Sequence, residues 1–146
     1  MAAPPFLSVD EKERIASAIK KAEGNTSAEI RVYFEKFCDE EVKHRAWKVF
    51  HQLKMQETQL HNGVLIYVAY KEKVFAIIGD SGIHQKVTEV FWKNTASVMR
   101  ELFKEGKFAE GVIHAIVETG RHLQKHFPAP SKNLNELSDE VVIADE

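Results

Sequence analysis

An α/β sandwich, a central mixed β-sheet covered by helices on both faces, is the fold this sequence predicts, and three observations predict it. Two continuous apolar runs, Val64–Tyr70 and Val74–Ile78, are separated only by Lys71-Glu72-Lys73, the pattern of two central strands joined by a tight turn and covered on both faces. Segments with apolar residues at helical spacing precede and follow these runs. A strand-period segment beginning at Glu29 is separated from the first run by one such helical segment, which is the arrangement of a parallel crossover.

The first helix starts at Ser8-Val-Asp-Glu11, a capping box in which Ser8 and Glu11 satisfy each other's backbone N–H groups. Ile15, Ile19 and Ala22 mark its buried stripe, and Gly24-Asn25 stops it. From Glu29 the period changes to two. Ile30, Val32 and Phe34 alternate with Arg31, Tyr33 and Glu35, as in a strand with one drier face. Cys38-Asp39-Glu40-Glu41 places acids where a helix dipole favours them, and Val42, Ala46, Val49, Phe50 and Leu53 form the stripe that follows. The polar stretch from Met55 to Asn62 has no apolar rhythm and reads as an irregular loop, loose for want of apolar anchors. After the two runs, Gly79-Asp80-Ser81-Gly82 breaks the chain sharply, again with little side-chain packing expected. A third helix carries Val87, Phe91, Val98 and Leu102 as far as Gly106, and a fourth carries Phe108 to Phe127, where Pro128-Ala-Pro130 ends it.

Residues 1–130 are therefore expected to form one domain, and 131–146 an acidic tail that is either frayed or held as a short edge strand by Val141-Val-Ile143. A length of 146 residues suffices to bury a core without disulfide or metal staples. The net charge of −2 excludes a generally basic, nucleic-acid-binding surface, and charge interrupts every apolar run too often for a membrane span. Lone Cys38 allows no internal disulfide, and Met1-Ala-Ala-Pro-Pro lacks the start of a secretory signal, so the expectation is a cytoplasmic monomer.

The order of elements has a chemical consequence. Glu29, Asn62 and Asp80 should meet at one end of the sheet, and the loop carrying Glu57 and Thr58 arrives there too. A carboxylate in a glycine turn beside an acid, an amide and a hydroxyl is oxygen chemistry suited to a hard divalent cation, Ca²⁺ or Mg²⁺ in preference to zinc. Carboxylates gathered around an empty site repel, so the cation is expected to quiet both loops together.

Ala28-Glu-Ile-Arg-Val32, Asn62-Gly-Val-Leu-Ile66, Lys73-Val-Phe-Ala-Ile-Ile-Gly79 and Phe103-Lys-Glu-Gly-Lys-Phe-Ala-Glu-Gly111, in this order, resemble the TPM domain family. That family is named for a thylakoid-lumen protein, a photosystem II repair protein and a nematode receptor modulator. The resemblance spans roughly Ser8 to Phe127 and implies an α/β sandwich, a divalent-metal site at the glycine-turn end, and acid phosphatase activity in some members. Where the family often has Gly-Tyr-Gly and a later Thr-Asp, this chain has Gly79-Asp80-Ser81-Gly82 and Thr88-Glu89. Asp80 thus becomes the leading metal ligand, and Glu89 stands in for the acid at the helix start. Metal-dependent phosphomonoester hydrolysis and a protein-interaction module are the alternatives to simple cation binding.

Other chemistries find less support. Cys38 and Arg45 are spaced one residue too far apart for a cysteine-phosphatase loop, and Gly-Lys-Ser/Thr and Gly-x-Ser-x-Gly motifs are absent. Glu118, His122 and His126 recur every fourth residue on the last helix and read as a solvated face.

Overall fold

The computed structural model describes residues 6–84, 87, 89–129 and 141–144. Thr88 and most of the acidic tail therefore lie outside the described residues. In chain order the elements are α1 (Val9–Glu23), β1 (Glu29–Glu35), α2 (Val42–Gln52), a 3-10 turn (Met55–Glu57), β2 (Gly63–Ala69), β3 (Val74–Gly79), a single helical turn α3 (Ser81–His84), α4 (Glu89–Lys104), α5 (Phe108–His126) and β4 (Val142–Ile143).

The strands form one mixed sheet in the order β3-β2-β1-β4. β1 and β2 run parallel, from Glu29 opposite Gly63 to Glu35 opposite Ala69, because the α2 crossover returns the chain to the same end. The short turn at Lys71–Lys73 forces β3 antiparallel to β2, with Val64 opposite Gly79. Lys73 takes a left-handed φ of 57° to close it. Val142 and Ile143 of the tail pair in parallel with Tyr33 and Phe34, which settles that segment as an edge strand.

Pleating divides the apolar residues between two cores. Ile30, Val32 and Phe34 with Val64, Ile66 and Val68 face α1, α4 and α5, where Ile15, Ile19, Met99, Phe103, Val112, Ile116 and Leu123 meet them. Tyr33, Leu65, Tyr67, Ala76 and Ile78 face α2 and pack on Ala46, Val49 and Phe50. Helices therefore cover both faces. α1 and α5 approach closely where Gly120 lies against Ala22, since a Cβ at Gly120 would sit 2.7 Å from the Ala22 Cβ. The expected capping box is formed: Glu11 N donates to Ser8 Oγ at 3.0 Å and Ser8 N to Glu11 Oε1 at 2.9 Å. Glu41 caps α2, accepting from the N–H groups of Lys43 and His44.

Four expectations are corrected. β3 is an edge strand rather than a central one, and Val74 is 38% exposed. The stripe expected over Val87–Leu102 is not the buried side of α4: Val87 precedes that helix, Val98 is 40% exposed, and Thr95, Met99 and Phe103 are the buried positions. Met55–Asn62 does have an apolar anchor, since Met55 is fully buried against α2 and β2 at the start of the 3-10 turn. The glycine turn leads into α3, whose Ile83 is buried in the first core. The polar rhythm of these segments hides a single anchoring side chain in each.

Glu35 shows how a polar residue is accommodated at the rim of the second core. Arg45 grips its carboxylate with two bonds, Nε to Oε2 at 2.8 Å and Nη2 to Oε1 at 3.0 Å, and the Tyr67 hydroxyl donates to Oε2. Burial pushes the Glu35 carboxyl up, but the bonds from Arg45 and Tyr67, together with the Arg45 charge, more than offset it and hold it below the usual range. A carboxyl depressed in the folded state contributes stability that is present above its unfolded pKa and lost as pH falls through its folded one. Glu35→Gln is therefore expected to cost stability near neutral pH and progressively less toward about pH 3. Denaturant unfolding of both proteins across that range tests this, and a gap that stays constant as the pH falls counts against it.

No helix among the described residues is long and apolar enough to cross a membrane.

Candidate functional site

Register brings the expected residues to one end of the sheet. Glu29 opens β1 opposite Gly63, and Asp80 follows β3 with its N–H donated to Gly63 O at 3.0 Å. Glu29 N donates to Asn62 O at 3.3 Å, so the starts of β1 and β2 are tied directly. Asn62 is almost fully buried. Its N–H donates to Thr58 Oγ1 and its side-chain amide to Ser27 Oγ, each at 3.3 Å. Thr58 and Glu29 are buried as well.

Asp80 lies at the junction. The side chain is 14% exposed; Oδ1 accepts from Ser81 N at 2.7 Å and so starts α3. Oδ2 is buried, and no hydrogen-bond donor among the described residues reaches it. The His61 ring lies beside it, with Nδ1 at 3.6 Å from Oδ2, beyond hydrogen-bond length. A buried carboxylate oxygen without a donor is costly, and it is the type of group that a cation relieves.

His61 holds a left-handed φ of 50°, uncommon for a residue with a Cβ, and its carbonyl accepts from Gly82 N at 2.9 Å. The two loops are thereby joined backbone to backbone. A Cβ at Gly82 would run into the carbonyl oxygens of Leu60 and His61, the latter at 2.7 Å, so glycine is required here by the closeness of the loops.

Asp80, Asn62, Thr58 and Glu29 are thus assembled around one end of the sheet. Glu57 and Glu89 are exposed, Glu57 at the end of the 3-10 turn and Glu89 in the first turn of α4, where it borders a separate groove along β3. Among the described residues no three His, Cys, Asp or Glu side chains form a group able to hold a metal. Any ion here would rely on Asp80, neutral oxygens and water. Sequence reasoning missed His61 and Ser27; the only signal for His61 was its place beside Asn62 at the strand entrance.

The remaining candidates resolve into structural roles. Cys38 Sγ donates to Glu40 O at 3.1 Å and the Arg45 guanidinium is committed to Glu35, so the pair does not form a phosphate cradle. His122 is not simply solvated. Its ring stacks on Phe91 with centroids 4.3 Å apart, and burial, then the charges of His126 and Lys125, push its imidazole below its ordinary pKa.

The sheet order, the helices on both faces and the loop-linked end define a TPM domain. The chain belongs to the TPM domain family, whose model matches residues 4–122. It is similar to the BA42 protein of the psychrophilic bacterium Bizionia argentinensis, known from an NMR structure, at 42% identity over 97% of this chain and 98% of that one, with a TM-score of 0.91. The fold is shared with the N-terminal domain of cg2496 protein from Corynebacterium glutamicum, at 14% identity, 88% and 80% coverage and a TM-score of 0.65. It is shared too with the N-terminal domain of a P. gingivalis protein, at 16% identity, 84% and 79% coverage and a TM-score of 0.68. No curated protein matches the chain.

Proposed function

We propose that this TPM domain binds a divalent cation, Ca²⁺ or Mg²⁺, at the end of the sheet where the Thr58–Asn62 loop meets Asp80. The observation that carries the reading is the buried Asp80 Oδ2, with no donor among the described residues, at the end of the sheet where the loop carrying the buried Thr58 and Asn62 is tied to the glycine turn. Asp80 is the charged ligand. Thr58 and Asn62 supply neutral oxygens, Glu29 acts from beneath, and Glu57 and Glu89 take part only if their exposed side chains swing inward. With Asp80 as the one carboxylate ligating directly, affinity belongs at the weak end of the known range, ~10⁻⁴–10⁻³ M for Ca²⁺. When bound, the ion supplies positive charge able to polarise an anionic oxygen; this chain's residues hold it and fix the two loops.

Titrating the isotope-labelled chain with Ca²⁺, and separately with Mg²⁺, tests the reading. Amide shifts are expected at Thr58–Asn62 and Gly79–Gly82, with slower loop motion in the loaded form. Asp80→Asn keeps an oxygen for Ser81 N while removing the charge, and is expected to lose the response. Absence of shifts in these loops at millimolar ion, or an unchanged response in Asp80→Asn, sinks the proposal. The phosphatase reading adds one further requirement, turnover of an aryl phosphate that needs the ion and disappears in Asp80→Asn.

A further inference from the structure

The edge strand β3 leaves part of its backbone unused by the sheet. Asp80 N donates to Gly63 O, so Asp80 and Gly63 are a directly bonded pair; by antiparallel alternation Ile78, Ala76 and Val74 also bond toward β2. Phe75, Ile77 and Gly79 therefore turn their N–H and C=O groups to the open edge. A groove of about 890 Å³ runs along this edge, between the first turn of α2 and one face of α4. Its apolar part includes Val42, Phe75, Ile77, Trp92 and Ala96. Among the described residues, Lys43, Lys73, Lys93 and Arg100 line it against the single carboxylate of Glu89, in a chain whose net charge is −2. Two of these cations are positioned: the Arg100 guanidinium lies 6.0 Å from the Phe75 ring centre, and Lys73 Nζ donates to Lys104 O at 3.4 Å.

We infer that this groove binds an extended acidic peptide segment of a partner protein, added to the sheet as a strand beside β3. The exposed backbone supplies the pairing groups, the Trp92 side supplies contact for alternate apolar residues, and the excess of cations selects acidic residues between them. A second copy of this chain fits poorly, since edge-to-edge pairing of two β3 strands brings the same lysines together. Nucleic acid would meet a small basic strip on an acidic protein.

A capped peptide of about seven residues, alternating glutamate with valine, is a direct probe of strand addition. Titrated into the isotope-labelled full chain, it is expected to shift the amides of Phe75, Ile77 and Gly79 and to slow exchange at Phe75 and Ile77. Replacing its glutamates by lysines, or N-methylating alternate amides, is expected to weaken binding at least about tenfold. Lys43→Glu combined with Lys93→Glu, two exposed surface changes, should do the same. Equal binding by the N-methylated peptide, or shifts confined to other surfaces, overturns strand addition. Concentration-dependent dimerisation through the same amides would give the edge to a second copy, and tighter binding of a single-stranded oligonucleotide there would give it to nucleic acid; both results overturn the proposal. Because the peptide series needs no variant protein and no metal, its failure is separable from failure of the cation site.

Discussion

Phe34→Ala is expected to lower the unfolding free energy by about 3–5 kcal/mol, the usual cost of emptying a buried aromatic site. Phe34 is fully buried on β1, an inner strand of the sheet, and its ring meets Phe6 edge to face at 5.2 Å. Its neighbours belong to a sheet and three helices, none of which can collapse into the gap alone. Since small domains retain only about 5–15 kcal/mol, a large share of the total would go. Urea unfolding against Val90→Ala as control checks this, because Val90 is exposed on α4 and should change stability by no more than about 0.5 kcal/mol. A loss below ~1 kcal/mol at Phe34 would mean that this face is loosely packed.

The fold was legible where burial follows periodicity. The stripes of α1, α2 and α5, the capping box at Ser8 and the tight turn at Lys71–Lys73 each express a local preference that the tertiary structure keeps. β3 misled because Phe75 and Ile77 face the first core while Ala76 and Ile78 face the second, so an edge strand carries the same apolar run as a central one. Which strand lies at the edge depends on what pairs beyond it. The stripe over Val87–Leu102 misled because Val87 lies between α3 and α4 and does not set the phase of α4, whose buried positions are Thr95, Met99 and Phe103. Met55 was a lone apolar residue in a polar stretch, and one residue has no period.

At the candidate site, the meeting of Glu29, Asn62 and Asp80 followed from strand direction alone, as did the arrival of Thr58. Side-chain direction did not. Glu57 ends a 3-10 turn and Glu89 begins a helix, and neither position reveals from chain order whether its carboxylate turns inward. His61 escaped notice because its importance lies in its backbone: a left-handed φ and a carbonyl offered to Gly82.

Gly82→Ala separates that backbone linkage from ordinary helix preference. Alanine within a helical turn would by itself favour the variant by up to about 1 kcal/mol. Against this, the new Cβ meets the carbonyl oxygens of Leu60 and His61, and these are backbone atoms that cannot rotate away. The Gly82 N to His61 O bond must lengthen as the loops separate, so overpacking of about 1–3 kcal/mol is expected to win and leave the variant less stable. Amide shifts should concentrate in residues 58–62 and 79–83, with the α5 amides unmoved, and the response to Ca²⁺ should weaken because the loop carrying Thr58 and Asn62 is no longer tied to the turn that carries Asp80. Gly106→Ala provides the contrast. Gly106 has φ 76° and open space, with nothing within 4 Å of where a Cβ would stand, so its cost is conformational, about 1 kcal/mol, and its ion response should equal that of the parent. A Gly82→Ala protein as stable as the parent would mean that the two loops part freely, and with that the pre-arranged half of the cation site would be lost.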